Sequence, residues 1–155
     1  MLWIILPAIV SCVLMEPWAR LVHRIAWHGP LWGMHESHHV DDGPGWETND
    51  WFVVLHMVAV APLFVLHGVY GPATWARVVL GLAIGISTFG TSYFIVHDGL
   101  VHGRLPVRFL NKIPALRRIA GAHRAHHKTG RAPYGLFLGP QELRQAAKRG
   151  EARQV

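Results

Sequence analysis

"WFVVLHMVAVAPLFVLHGVYGPATWARVVLGLAIGISTFGTSYFIV", residues 51–96, is two apolar runs, 51–71 and 75–96, separated only by Pro72, Ala73 and Thr74. A helix rises ~1.5 Å per residue, so ~20 apolar residues cross a hydrocarbon layer ~30 Å thick. The pair therefore reads as a membrane hairpin that returns the chain to the face it left. A third run, "LWIILPAIVSCVLM" (2–15), is short alone but reaches Val22 once Glu16 and "PWARLV" are added. No Lys or Arg precedes it and no A-x-A site follows, so it is expected to be a retained anchor and not a signal peptide. The predicted spans are 2–22, 51–71 and 75–96; a break near Gly90 would make them four. The fold class expected is all-α, an integral membrane helical protein whose spans carry a cytosolic cap.

Composition agrees. A mean hydropathy of +0.23 is high for a water-soluble domain. The 155 residues suit one domain, 1–155. The tail 141–155, "QELRQAAKRGEARQV", is polar and predicts a short helix with a frayed end. A lone cysteine, Cys12, excludes an internal disulfide and a Cys-rich zinc module.

Charge placement orients the spans. Of 15 Lys and Arg, Arg20 and Arg24 follow the first span, 12 lie at 104–153, and Arg77 alone sits by the hairpin turn. The 14 on one side (2 + 12) mark that side as cytoplasmic by the positive-inside rule, in an inner membrane. The membrane accounts for most of the net charge of +6. No nucleic-acid-binding motif accompanies it, so nucleic acid is not an expected partner. An acidic redox partner or anionic lipid could use the surplus.

Ten of the 12 histidines fall into four groups: His23 and His28; His35, His38 and His39; His97 and His102; His123, His126 and His127. The hairpin leaves all four on one face of the membrane. On a helix turning about 100° per residue, offsets of three and four sit about 60° to one side and about 40° to the other, so each triplet presents three rings on one face. An offset of five is about 140° away, so the doublets require a helix end or local unwinding, for which Gly29 and Gly103 are at hand. Imidazole is the commonest metal ligand. Ten exceed the four to six of one transition ion, whereas two ions at five each keep an open position on either. There is no CxxC, G-x-S-x-G, H-E-x-x-H or phosphate loop, and two-metal hydrolases lean on bridging carboxylates. An all-imidazole pair of ions thus argues for redox iron and oxygen activation.

The pattern H-x4-H, H-x2-H-H, H-x4-H, H-x2-H-H resembles the integral-membrane hydroxylase and desaturase superfamily. The words "WHGPLWGMHESHH" (27–39), "ND" (49–50), "HDGLVH" (97–102), "LRRIAGAHRAHH" (116–127) and "YGLFLGP" (134–140) are similar to those of bacterial β-carotene hydroxylases. One departure is the linker "KTGRAP" (128–133), shorter than the cysteine-containing version of such relatives, which bears on substrate fit or donor docking. The resemblance implies O2-dependent hydroxylation at carbon 3 of each β-ionone ring, taking β-carotene through β-cryptoxanthin to zeaxanthin. It also implies two non-haem irons held by the ten histidines and electrons from a ferredoxin-type donor. Two rivals stand beside it: a fatty-acyl or sterol hydroxylase or desaturase of the same superfamily, and a non-enzymatic membrane metal-binding or transport protein.

Other residues carry smaller expectations. Glu16, seven before His23 and on the same helix face, either orients a ligand ring or pairs with Arg20. Glu36 and Asp98 are candidates to support the ligand rings from behind. Asn49 and Asp50 suit a helix N-cap. His56 and His67 lie on the second span and are left outside the site as anchors. The small side chains from Gly81 to Ser92 suit close helix packing more than a slot for a polyene.

Overall fold

The computed structural model describes residues 1–40 and 45–150; the last five residues of the expected frayed tail lie outside the described residues. Six α-helices follow in order: α1 (Leu2–Val22), α2 (Trp32–Val40), α3 (Trp51–Tyr70), α4 (Thr74–Phe94), α5 (Pro114–Thr129) and α6 (Gly139–Lys148). Two π-helical segments, His23–Trp27 and Ile95–Val101, run on from α1 and α4. Among the described residues there is no strand.

Three helical stretches are long and apolar enough to cross a membrane: Leu2–Trp27, Thr48–Tyr70 and Thr74–Val101. The last passes Gly90 without a break. Their apolar side chains point outward, Ile5, Ile9, Val13, Val58, Val65 and Val69 among them. So much exposed hydrocarbon is costly in water and natural against acyl chains, and a helix satisfies its own backbone there.

The chain forms two compact units. One comprises residues 1–15 and 49–92, hence the first part of α1, with α3 and α4. Small residues of α4 meet the α1 backbone: a Cβ on Gly81 would run into the carbonyl of Ile4, and one on Gly85 into that of Ala8. Ser11 Oγ, 3.2 Å from Ala8 O, also lies 3.3 Å from Leu82 O of α4. Thr88 and Ser92 spend their hydroxyls on carbonyls one turn back, Ile84 O and Thr88 O. The small face is thus a packing surface. Gly85→Ala should lower the thermal stability of the detergent-solubilised protein by about 1–3 kcal/mol through overpacking. Gly68→Ala, with open space around the glycine, should be neutral or stabilising by up to about 1 kcal/mol, because it removes a helix glycine. Equal effects at both positions in a thermal melt would refute the packing account. Asp50 takes the N-cap position of α3, though its side chain makes no cap hydrogen bond.

The other unit comprises residues 16–48 and 93–155. Its core is made of imidazole more than of aliphatic side chains: the largest fully buried groups are Leu136, Pro133, His23, His35, His38, His123 and His126. Pro114 opens α5 at a position where no amide hydrogen is needed, and Gly130, at φ 63°, closes it by donating to His126 O at 2.7 Å.

Candidate metal centre

The doublets come together through backbone geometry. His28 N donates to His23 O (3.0 Å) and His102 N to His97 O (3.1 Å), both i→i+5 bonds of the π-helical segments. Such a turn carries residues five apart back toward one face, which a 3.6-residue turn does not. The local unwinding expected takes this form, in the turns that precede Gly29 and Gly103 and not at the glycines themselves.

All ten predicted histidines assemble into two groups of five, each with its ring nitrogens within 4.8 Å of one another. Group A is His23, His28, His35, His39 and His126; group B is His38, His97, His102, His123 and His127. Each doublet stays whole, while each triplet divides. The first and last rings of a triplet join the doublet nearest in sequence, and the middle one crosses over: His38 of α2 goes to B, His126 of α5 to A. The groups abut, with the rings of His39 and His127 stacked at 4.4 Å.

Within group A, Nε2 of His35 lies 3.0 Å from that of His23 and 3.2 Å from that of His39, and Nε2 of His28 lies 3.1 Å from that of His126. Within group B, Nε2 of His38 is 2.9 Å from that of His97, and Nε2 of His127 is 3.1 Å from that of His123. Two nitrogens ~2.1 Å from a common ion at a right angle would be about 3 Å apart. Tautomers point the same way. His23 and His126 donate Nδ1–H to carbonyl oxygens, of Tyr134 at 2.7 Å and Arg131 at 2.6 Å. His97 donates Nδ1–H to Asp98 Oδ2 at 3.1 Å. A neutral ring protonated at Nδ1 has a bare lone pair at Nε2. Lone pairs converging on one buried point repel unless a cation lies among them, so the residues present fit metal ions.

The rings are also kept neutral. Burial pulls His28 down to about 4, with His39 adding to it. Burial likewise lowers His126 to about 3, against the opposing bond to the Arg131 carbonyl, and His127 to about 2. His38, His39 and His123 shift in the same direction, chiefly through burial. Imidazole must be neutral to ligate.

Indole rings line group A: Trp27 is 5.4 Å from His35, and Trp32 is 5.2 Å from His28 and 5.3 Å from His39. The segment joining α5 and α6 is tied down by carboxylates. Glu142 Oε2 accepts from Tyr134 N at 3.0 Å, from Gly135 N at 3.1 Å and from Arg20 Nε at 3.0 Å. Glu16 Oε1 accepts from Leu138 N at 2.8 Å. Glu16 thus grips the backbone of that segment, and Arg20 pairs with Glu142. Asp98 is buried against His97, and Glu36 is exposed on α2. His67 Nδ1 donates to Ala76 O (3.2 Å), and His56 lies beside Gly90; neither belongs to the groups.

Sequence reasoning passed over Glu47, Arg104, Tyr134 and Glu142. Glu47 Oε2 lies 3.4 Å from His38 Nδ1, and Arg104 Nη1 is 3.1 Å from Asp98 Oδ1. Glu47 and Arg104 act from irregular segments at offsets of nine and six, and Tyr134 and Glu142 through main-chain atoms, so no helical period marks any of them.

The sequence model of the fatty acid hydroxylase family matches residues 8–140. The chain is 42% identical to β-carotene 3-hydroxylase 2, chloroplastic, of Arabidopsis thaliana, over 91% of this chain and 47% of that protein. It is 43% identical to β-carotene hydroxylase 2, chloroplastic, of Capsicum annuum, over 87% of this chain and 44% of the other. With the β-carotene hydroxylase of Paracoccus sp. (strain PC1) it shares 37% identity over 91% of this chain and 88% of that one. The chain spans about half the length of the plant relatives it matches. No solved structure matches it.

Proposed function

The chain belongs to the fatty acid hydroxylase family, and from that footing we propose that it is a membrane monooxygenase that hydroxylates carotenoid β-ionone rings at carbon 3. Its substrate is β-carotene, converted through β-cryptoxanthin to zeaxanthin. The observation that carries the reading is the gathering of ten imidazoles into two groups of five with facing Nε2 atoms. The names of the relatives support a carotenoid over a fatty-acyl or sterol substrate.

Group A would hold one iron and group B the other. The irons would supply the reduction of O2, one atom entering the C–H bond and the other leaving as water, with two electrons and two protons from outside the site. We assign the electrons to a ferredoxin-type donor and the site to the cytoplasmic face, where 14 of 15 basic residues are expected, with residues 1–155 acting as one hydroxylase domain.

The chain's own residues do the rest. The carbonyls of Tyr134 and Arg131 and the carboxylate of Asp98 hold protons on the outer ring nitrogens, leaving the inner ones for metal. Burial of His23, His35, His38, His123 and His126 excludes water from the ligand atoms. Trp27 and Trp32 wall group A with apolar rings.

Expression in a β-carotene-accumulating bacterium should yield β-cryptoxanthin and zeaxanthin on pigment chromatography. Unchanged β-carotene beside well-expressed, iron-loaded protein would sink the substrate assignment.

A further inference from the structure

The two groups are alike in their rings and differ in what stands behind the rings. In group A, the outer nitrogens of His23 and His126 meet main-chain carbonyls, Tyr134 O at 2.7 Å and Arg131 O at 2.6 Å. In group B, His97 donates Nδ1–H to Asp98 Oδ2 at 3.1 Å, and Glu47 Oε2 lies 3.4 Å from His38 Nδ1, a close charge and not a hydrogen bond. Both carboxylates are buried. Arg104 reaches each of them, Nη1 lying 3.1 Å from Asp98 Oδ1 and 4.0 Å from Glu47 Oε1, while Nη2 donates to Gly45 O at 2.8 Å. Glu16 and Glu142 stand one peptide further from the group A rings, on Leu138 N and on Tyr134 N and Gly135 N.

A carbonyl is a dipole without net charge. A carboxylate facing Nδ1–H draws that proton outward, raises the electron density at Nε2 and strengthens the ring as a ligand. Two carboxylates less one guanidinium leave one negative charge directly beside the group B rings, where screening is weak, whereas the same balance at group A, Glu16 and Glu142 less Arg20, stands one peptide further off. A cation gains from both effects, and an ion of higher charge gains more.

We propose that the two iron positions are inequivalent, with Asp98 and Glu47, pinned by Arg104, making group B the one that binds a divalent ion first. The proposal rests on the reading of both groups as iron sites. Asp98 and Glu47 are positioning residues in it, acting through His97 and His38.

The test loads metal-stripped, full-length protein in detergent with 57Fe(II) under anaerobic conditions and follows the Mössbauer spectrum. One equivalent should give one dominant doublet, and the second equivalent a second doublet of equal area. Loss of one or the other doublet in His28→Ala and His102→Ala assigns them to A and B. Glu47→Gln and Asp98→Asn should each weaken the first-loaded position by about 10–100-fold. One equivalent then spreads over both doublets, and only the B doublet changes its splitting. Native protein in which both doublets grow together from the first addition overturns the proposal, as do variants that move both doublets or neither. Should a variant lose helicity by circular dichroism, the native loading order still decides. A native chain that takes up no iron would fail at the earlier step, sinking the iron reading and this one with it.

Discussion

Alanine at His126 should empty group A, although the residue sits in sequence between two ligands of group B. His126 is fully buried, its Nδ1–H held by the Arg131 carbonyl and its Nε2 3.1 Å from that of His28. Without it group A keeps four rings and a water-sized gap, the lower end of what such an ion takes, so its iron is held weakly: after dialysis iron content should fall from two ions per chain toward one, with product lost to below detection. The mirror variant, His38→Ala, should empty group B, because its Nε2 lies 2.9 Å from that of His97. Metal analysis combined with the assigned Mössbauer doublets separates this from an assignment by sequence neighbourhood, which pairs His126 with His123 and His127. Full iron content with normal zeaxanthin formation from either variant would refute the ligand roles.

Removing iron should destabilise the unit built from residues 16–48 and 93–155 more than most single substitutions do. Its core is a set of buried imidazoles whose lone pairs face one another. An ion bound at a free concentration 100 times its Kd adds ~2.7 kcal/mol, so two add about 5 kcal/mol. That is a large share of the ~5–15 kcal/mol that usually separates folded from unfolded chains. For a chain of this size it corresponds to a fall in Tm of roughly 10–20 °C. Thermal unfolding followed by tryptophan fluorescence should show the drop after chelation and its reversal on adding Fe(II). An unchanged transition would mean that the groups hold no ions.

Protons should act against the stripped protein in the same sense. His28 and His126 titrate at about 4 and about 3 in the folded chain, while an unfolded histidine titrates near 6.5. Between those values the unfolded chain binds more protons, so stability of the metal-free protein should fall as pH drops from about 6.5 toward 4.

Much of this protein is local and therefore legible. Apolar length alone marks the three spans, and the helical stretch through Gly90 is unbroken because nothing in a run of good packing residues there requires a stop. The 3.6-residue turn puts each histidine triplet on one helix face. The doublets were half legible: an offset of five demands an irregular turn, but not that the turn be an i→i+5 segment. Glu16 shows the limit from the other side. Its place on the face of His23 was readable, whereas its partner, Leu138 N, is 122 residues away.

The sequence by itself determined which ten side chains could meet and that three helices are long and apolar enough to cross a membrane, because hydropathy and helical pitch are properties of neighbouring residues. Only the tertiary structure decided how they are shared: that His38 and His126 cross between groups, that carbonyls stand behind one group and carboxylates behind the other. Within a triplet the middle ring is about 60° from the first and about 100° from the last, so one ring must part from the others. Where it goes depends on the rotation of α2 and α5 against the segments they pack on, and that rotation is set by contacts such as His28 to His126, 98 residues apart.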